Sequence, residues 1–150
     1  MTTQTNPEPD QDRAPAEVDL VDALVQLSFA VQQVLTETGA AHELSVTQLR
    51  LLAILRDRTV AMSEVARYLG LDRSSITGLV QRGERRGLVQ RVPSPDDGRG
   101  VLVEATADGR ALAGEVEDQV RSRLLALTAP LTPSERARLT ALADRVVGVV

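Results

Sequence analysis

Residues 63–104 read SEVARYLGLDRSSITGLVQRGERRGLVQRVPSPDDGRGVLVE, and this stretch decides the fold. Ser63 is placed to cap a short helix carrying Val65, Ala66 and Leu69, and Gly70 sits where a glycine ends a helix. A tight Gly70-Leu71-Asp72 turn leads to a second helix, capped by Asp72, spanning roughly Arg73 to Arg86 and ended by Gly87. Two runs suited to strands follow, Leu88–Val92 and Val101–Glu104, and the Asp97-Gly98 pair between them is a strong hairpin-turn signal. Helix, turn, helix and hairpin in this order predict a winged helix-turn-helix. A helix fits the DNA major groove, its N-terminus suits phosphate, and a hairpin beside it reaches the flanking groove.

The helical wheel of Arg73–Arg86 separates two sides. Ile76, Leu79, Val80 and Gly83 fall together, while Ser74, Gly78, Gln81 and Arg85 lie opposite, flanked by Thr77 and Arg82. An apolar back with a small, polar, arginine-bearing front is what a groove-reading helix requires; a merely solvated helix face would have the same polarity. Gly78 in the middle of the front allows close backbone approach at a cost in helix propensity. The candidate DNA-binding set is Arg73, Ser74, Ser75, Thr77, Gly78, Gln81, Arg82, Arg85, Arg91 and, on the wing, Arg99. Arg99 either enters a minor groove or pairs with Asp97 and stiffens the wing.

Outward from this core, helices are predicted on both sides. Leu20, Leu24, Leu27, Val31, Val34 and Leu35 recur at three- and four-residue steps over 17–38, with Gly39 placed to end that helix. Ser45-x-x-Gln48 forms a capping box for a helix to about Asp57, and Thr59 to Met62 suits one small strand. A long helix runs from Thr106 to about Thr128. Thr132-Pro133-Ser134-Glu135 launches the last helix through Leu139, Leu142, Val146 and Val147. The fold class is mainly α with a small β-wing: a disordered tail over 1–16, then a single winged-helix domain over 17–150, with its DNA-binding lobe at 45–104.

The 150 residues are 43% apolar and 25% charged, which suits one soluble globular domain. Cysteine is absent and His42 is the lone histidine, so thiol chemistry, cysteine-ligated zinc and multi-histidine metal sites are excluded within one chain. No nucleophile–base pair can be drawn, so an enzyme is not expected. No apolar run approaches the length of a membrane span and the start lacks a signal peptide, so the expected location is cytoplasmic. The net charge of −4 speaks at first against nucleic acid. Mapped by segment, the objection goes. Between Arg73 and Arg91, five arginines (73, 82, 85, 86 and 91) face one acid, Glu84, whereas residues 1–22 hold six acids and one arginine. The local field decides phosphate contact.

The motifs LSVTQLRLL (44–52), SEVARYLGLDRSSIT (63–77), RRGLVQR (85–91), DDGR (96–99) and EATADG (104–109) resemble the MarR family of bacterial transcription regulators over about residues 17–150. The resemblance implies a homodimer built from the dimerisation helices 17–38 and 106–150, with two winged lobes on a pseudo-palindromic duplex and repression as the expected outcome. It places base reading on Ser74, Thr77, Gly78, Gln81 and Arg82, and makes Arg99 the minor-groove arginine beside Asp97. Relatives often carry a basic residue directly after the threonine, where this chain has Gly78, and a basic wing-tip residue where it has Asp96. The apolar Val146-Val147-Gly148-Val149-Val150 end agrees with a dimer, although a core-docked or frayed end would also accommodate it.

Family members commonly release DNA when a small, often aromatic or anionic effector binds between the dimer helices and the lobe. Gln33, His42, Arg50 and Arg56 are the candidate effector-binding residues here, and for His42 a capping or solvated role stands beside that one. A ligand-free repressor also stays open. The rival to DNA binding is a winged-helix module whose arginine face meets an acidic protein partner; steep salt dependence and sequence preference separate the two.

Overall fold

The structure, a computed structural model, describes residues 15–95 and 100–148. Its elements are α1 (Pro15–Ala41), α2 (Val46–Leu55), β1 (Val60–Ala61), α3 (Met62–Leu69), α4 (Arg73–Arg85), β2 (Val89–Pro93), β3 (Val101–Ala105), α5 (Ala107–Leu127) and α6 (Pro133–Val147). Two compact units divide between Gln33 and Val34, within α1. In the first, Leu20, Val21, Leu24 and Phe29 are exposed. The second holds the predicted winged helix-turn-helix.

The core of the second unit is built from the apolar sides of α2, α3 and α4 closing on a three-stranded antiparallel sheet of order β1-β3-β2. Val103 in the middle strand is fully buried, with Val60 paired on one side and Arg91 on the other. Around it Leu51, Leu55, Val65, Ile76, Leu79 and Val80 are almost wholly removed from water. The back of α4 is therefore the predicted one: Ile76, Leu79, Val80 and Gly83 are its buried residues. Gly83 is needed there because a Cβ would lie 2.7 Å from a methyl of Val89, so the backbone of α4 packs directly against that side chain.

Side-chain caps account for the starts of α2, α4, α5 and α6. The Ser45–Gln48 box is formed in both directions, and Thr132 and Glu135 form another at the start of α6 with Pro133 in its first turn. Glu135 is held below the usual carboxylate range by the Thr132 backbone N–H and then by its hydroxyl. Gly70 closes α3 in the left-handed conformation, with φ 65°. Asp72 accepts four hydrogen bonds, from the backbone N–H of Ser74 (2.8 Å) and Ser75 (2.9 Å) and from their hydroxyls at 2.6 and 2.7 Å. These bonds, that of the Ser74 hydroxyl foremost, hold its carboxyl well below the ordinary range.

Three expectations need correction. α1 does not stop before Gly39 but continues to Ala41. Gly39 serves close approach instead: a Cβ there would lie 2.5 Å from the Leu44 carbonyl oxygen, where the chain folds back on the helix end. The reversal falls on Glu43, at φ 56°. Ser63 is not the cap of α3. The helix starts at Met62, directly from β1, because the Ala61–Leu102 pairing ends the strand at the residue that enters the helix. The expected disordered tail lies outside the described residues up to residue 14, while 15 and 16 already belong to α1. The hairpin is closed by Ser94 N–H donating to the Gly100 carbonyl at 2.9 Å; the Asp97-Gly98 turn itself lies outside the described residues.

The start of α5 is seated on the turn between α4 and β2. Thr106 donates its backbone N–H to Leu88 O (3.1 Å) and its hydroxyl to Gly87 O (2.6 Å). A Cβ on Gly109 would fall 1.9 Å from that same Leu88 oxygen. Gly109→Ala should therefore destabilise by about 1–3 kcal/mol or more, through forced backbone displacement. Gly114→Ala, in the same helix with nothing near its Cβ position, should gain up to about 1 kcal/mol. Urea denaturation of both variants checks the contrast. The depressed folded pKa of Asp72 means that its contribution is complete above the unfolded carboxylate pKa and is lost as pH falls through the folded value. Asp72→Asn keeps a capping oxygen but cannot titrate, so its melting temperature should fall less steeply than that of the wild type below about pH 4.

Candidate nucleic-acid interface

The exposed side of α4 carries Arg73, Ser74, Ser75, Gln81, Arg82 and Arg85, with Thr77 and Gly78 half-buried among them. The serines do double work in sequence terms but are committed here: both hydroxyls donate to Asp72 and hold the first turn. Thr77 likewise donates its hydroxyl to the Arg73 carbonyl at 2.8 Å. Among the described residues, Arg73, Arg82 and Arg85 have no acidic partner within ion-pair distance. They form the free cationic set of the helix.

The other two arginines of the basic stretch are engaged. Arg91 pairs with Glu84 at 2.9 Å across α4 and β2, so its charge is offset where it stands. Arg86 donates to the carbonyls of Glu43 (2.7 Å) and His42 (3.0 Å) and ties the end of α4 to the end of α1. Counting charge by segment could not reveal either engagement, because both partners come from packing. On the sheet, Glu104 accepts from Gln90 (2.6 Å) and Thr59 (3.0 Å). Those bonds, the one from Gln90 first, keep its carboxyl low and bind the β1 end to the hairpin.

A concavity opens between α3, α4 and the base of the hairpin, lined by Ser63, Ala66, Arg73, Thr77, Gln81, Arg91, Gly100 and Val101 among others. Four of the predicted DNA-binding residues thus come together on one surface with the wing base. Ser63 joins them, a residue that sequence reasoning assigned only to a cap. Wing residues Asp96, Asp97 and Arg99 lie outside the described residues, so the proposed Asp97–Arg99 pair does too. The arrangement offers an open, guanidinium-bearing face beside an antiparallel hairpin, a shape for a duplex and its phosphates.

The four candidate effector residues do not form one cluster. Arg50 and Arg56 line a groove of about 390 Å³ between α2 and α5, floored by Leu35, Leu49, Leu52, Ala113, Val116 and Val120. Arg56 forms ion pairs with Asp57 and Glu117, and Arg50 reaches the Tyr68 carbonyl at 3.4 Å. His42 is not part of that lining; its Nε2 lies 3.1 Å from Gln119 Oε1 of α5. Gln33 belongs to the first unit. No group of three or more metal-binding side chains occurs among the described residues, and none of their helices is long and apolar enough to cross a membrane.

Comparison with known proteins extends these observations. Residues 42–100, which contain the helix-turn-helix and the first strand of the hairpin, match the MarR family. The HTH-type transcriptional regulator PecS of Dickeya dadantii is 28% identical over 94% of this chain and 86% of its own length. The multiple antibiotic resistance protein MarR of Salmonella typhimurium is 30% identical over 70% of this chain and 74% of its own. A mutant MarR of Escherichia coli, solved in complex with operator DNA, superposes with a TM-score of 0.73 at 26% identity, covering 91% of this chain and 99% of that one. Shared architecture, the match across the helix-turn-helix, and identity extending over most of both chains lead to one assignment: this chain belongs to the MarR family.

Proposed function

We propose that the protein is a sequence-specific, double-stranded DNA-binding transcription regulator, acting as a repressor and as a homodimer on a pseudo-palindromic operator, with no reaction of its own. The observation that carries this reading is the exposed face of α4, where Arg73, Arg82 and Arg85 stand without acidic partners among the described residues while the opposite side is buried in the core. A rigid helix with a free cationic front can enter a major groove without first breaking ion pairs, so little of the phosphate attraction is lost. The operator complex of the Escherichia coli relative supports the same use of this architecture.

The dimer is supported by apolar surface left exposed among the described residues. Leu20, Val21, Leu24 and Phe29 of α1 are exposed, and α6 buries none of its residues, leaving Leu142, Val146 and Val147 open. A second copy would remove that surface from water and set two lobes on two half-sites. The groove between α2 and α5 supports a small apolar or aromatic effector, with Arg50, which has no acidic partner among the described residues, at its edge for an anionic group. Release of a bound duplex on adding a small aromatic carboxylate is the measurement for it; no release at millimolar concentration would count against it.

Fluorescence anisotropy with duplexes from around the protein's own gene should give binding at least roughly a thousandfold tighter than to random duplex, and affinity should fall steeply with salt. Equal affinity for both would overturn the reading. Arg99→Ala should weaken binding and lower the salt slope by about 1 if the wing arginine reaches a phosphate-lined groove. Sedimentation of the same samples at micromolar concentration should show a dimer, and a stable monomer would remove the proposed operator symmetry.

A further inference from the structure

Most glycines of the reading lobe have a reason in the fold. Gly70 and Gly87 adopt positive φ, and the Cβ positions of Gly83 and Gly109 are filled by neighbouring atoms. Gly78 has no such reason. It lies within α4 in ordinary helical conformation, where glycine weakens the helix relative to alanine. The one heavy atom near its missing Cβ is Nη1 of Arg82, at 3.4 Å. That guanidinium comes from one turn further along and folds back toward the helix N-terminus, the direction in which helical side chains lean. It has no acidic partner among the described residues. Gly78 and Arg82 together line a shallow notch on the front of α4, which also includes Ser74 and Ser75, the α2 cap residue Ser45 and, from α2, Thr47.

We infer that Gly78 is a specificity-determining position: its missing side chain leaves the space from which Arg82 presents its guanidinium on the α2-facing flank of the front of α4. The base class this favours is guanine, whose O6 and N7 accept the two parallel N–H bonds of an arginine fork. Residues 78 and 82 then act as one unit. Position 78 supplies room, position 82 supplies the donors, and a long side chain at 78 would occupy the volume that the guanidinium needs. This inference rests on the DNA-reading function proposed above and names the residue pair and base that the function uses.

Selection of bound duplexes from a randomised pool tests it, using the full chain and the variants Arg82→Ala, Arg82→Lys, Gly78→Ala and Gly78→Gln. The wild type should enrich a guanine at one position of each half-site. Arg82→Ala should lose that preference, and affinity for the selected duplex should fall roughly ten- to a hundredfold; Arg82→Lys, which donates to guanine without the planar fork, should weaken both less. Gly78→Gln should lose the preference at the same position, by displacing the guanidinium. Adding Gly78→Gln to Arg82→Ala should cost much less than the product of the single losses. Gly78→Ala, whose Cβ meets Nη1 at 3.4 Å, should weaken the preference less than Gly78→Gln. Thermal melts of each variant establish that it is folded. A retained guanine in Arg82→Ala, or a change at a different base position in Gly78→Gln, overturns the inference while leaving DNA reading intact. A wild type that enriches no sequence overturns both.

Discussion

The backbone at Leu88 is the constraint on which the lobe depends. Its carbonyl accepts the Thr106 N–H and lies where a side chain on Gly109 would otherwise be, while the Thr106 hydroxyl holds the neighbouring Gly87 carbonyl. Three elements meet there: the end of α4, the first residue leading into β2, and the start of α5. Gly83, whose backbone packs against the Val89 side chain, adds a second close contact one turn earlier. With those contacts made, α4 and the hairpin cannot shift independently, because interiors packed at this distance transmit displacement instead of absorbing it. The helix is therefore positioned by steric contact, and its front keeps Arg73, Arg82 and Arg85 without acidic partners among the described residues.

Electrostatics then works by subtraction. The chain as a whole is acidic, and even the basic stretch from Arg73 to Arg91 spends part of its charge internally. Glu84 offsets Arg91, and Arg86 is held by the carbonyls at the end of α1. What remains is confined to one helix face. A surface of this kind attracts phosphate locally while the rest of the molecule repels it, which favours one orientation of approach over many.

Much of this was legible in the sequence because it is local. Asp72, Thr106 and the Ser45–Gln48 and Thr132–Glu135 pairs declare helix starts through residues three apart, and each forms its predicted bonds. The apolar side of α4 follows from a 3.6-residue period alone. The failures have one cause, namely that a residue's use was set by a distant partner. Gly39 looks like a helix stop but accommodates the Leu44 carbonyl. Ser63 looks like a cap, yet the register of β1 against β3 moves the helix start upstream. Arg86 and Arg91 look like free cations until packing supplies their partners. Gly78 was recognisable as unusual, but the guanidinium above it required coordinates.

The two-residue strand β1 has a further meaning in the order of assembly. β2 and β3 join across one short connection, whereas Val60 meets Val103 only after the whole of α3 and α4 has been threaded between them. Closing that larger loop costs chain entropy that the hairpin does not face. The hairpin and its neighbouring helix can therefore form from nearby contacts first, and β1 adds last to an edge already in place. The helix-turn-helix is in this sense a loop clasped shut by a very small ladder. Its weakest closure lies at the edge remote from β2, so a local opening there can loosen α3 while the hairpin and the Leu88 junction stay intact.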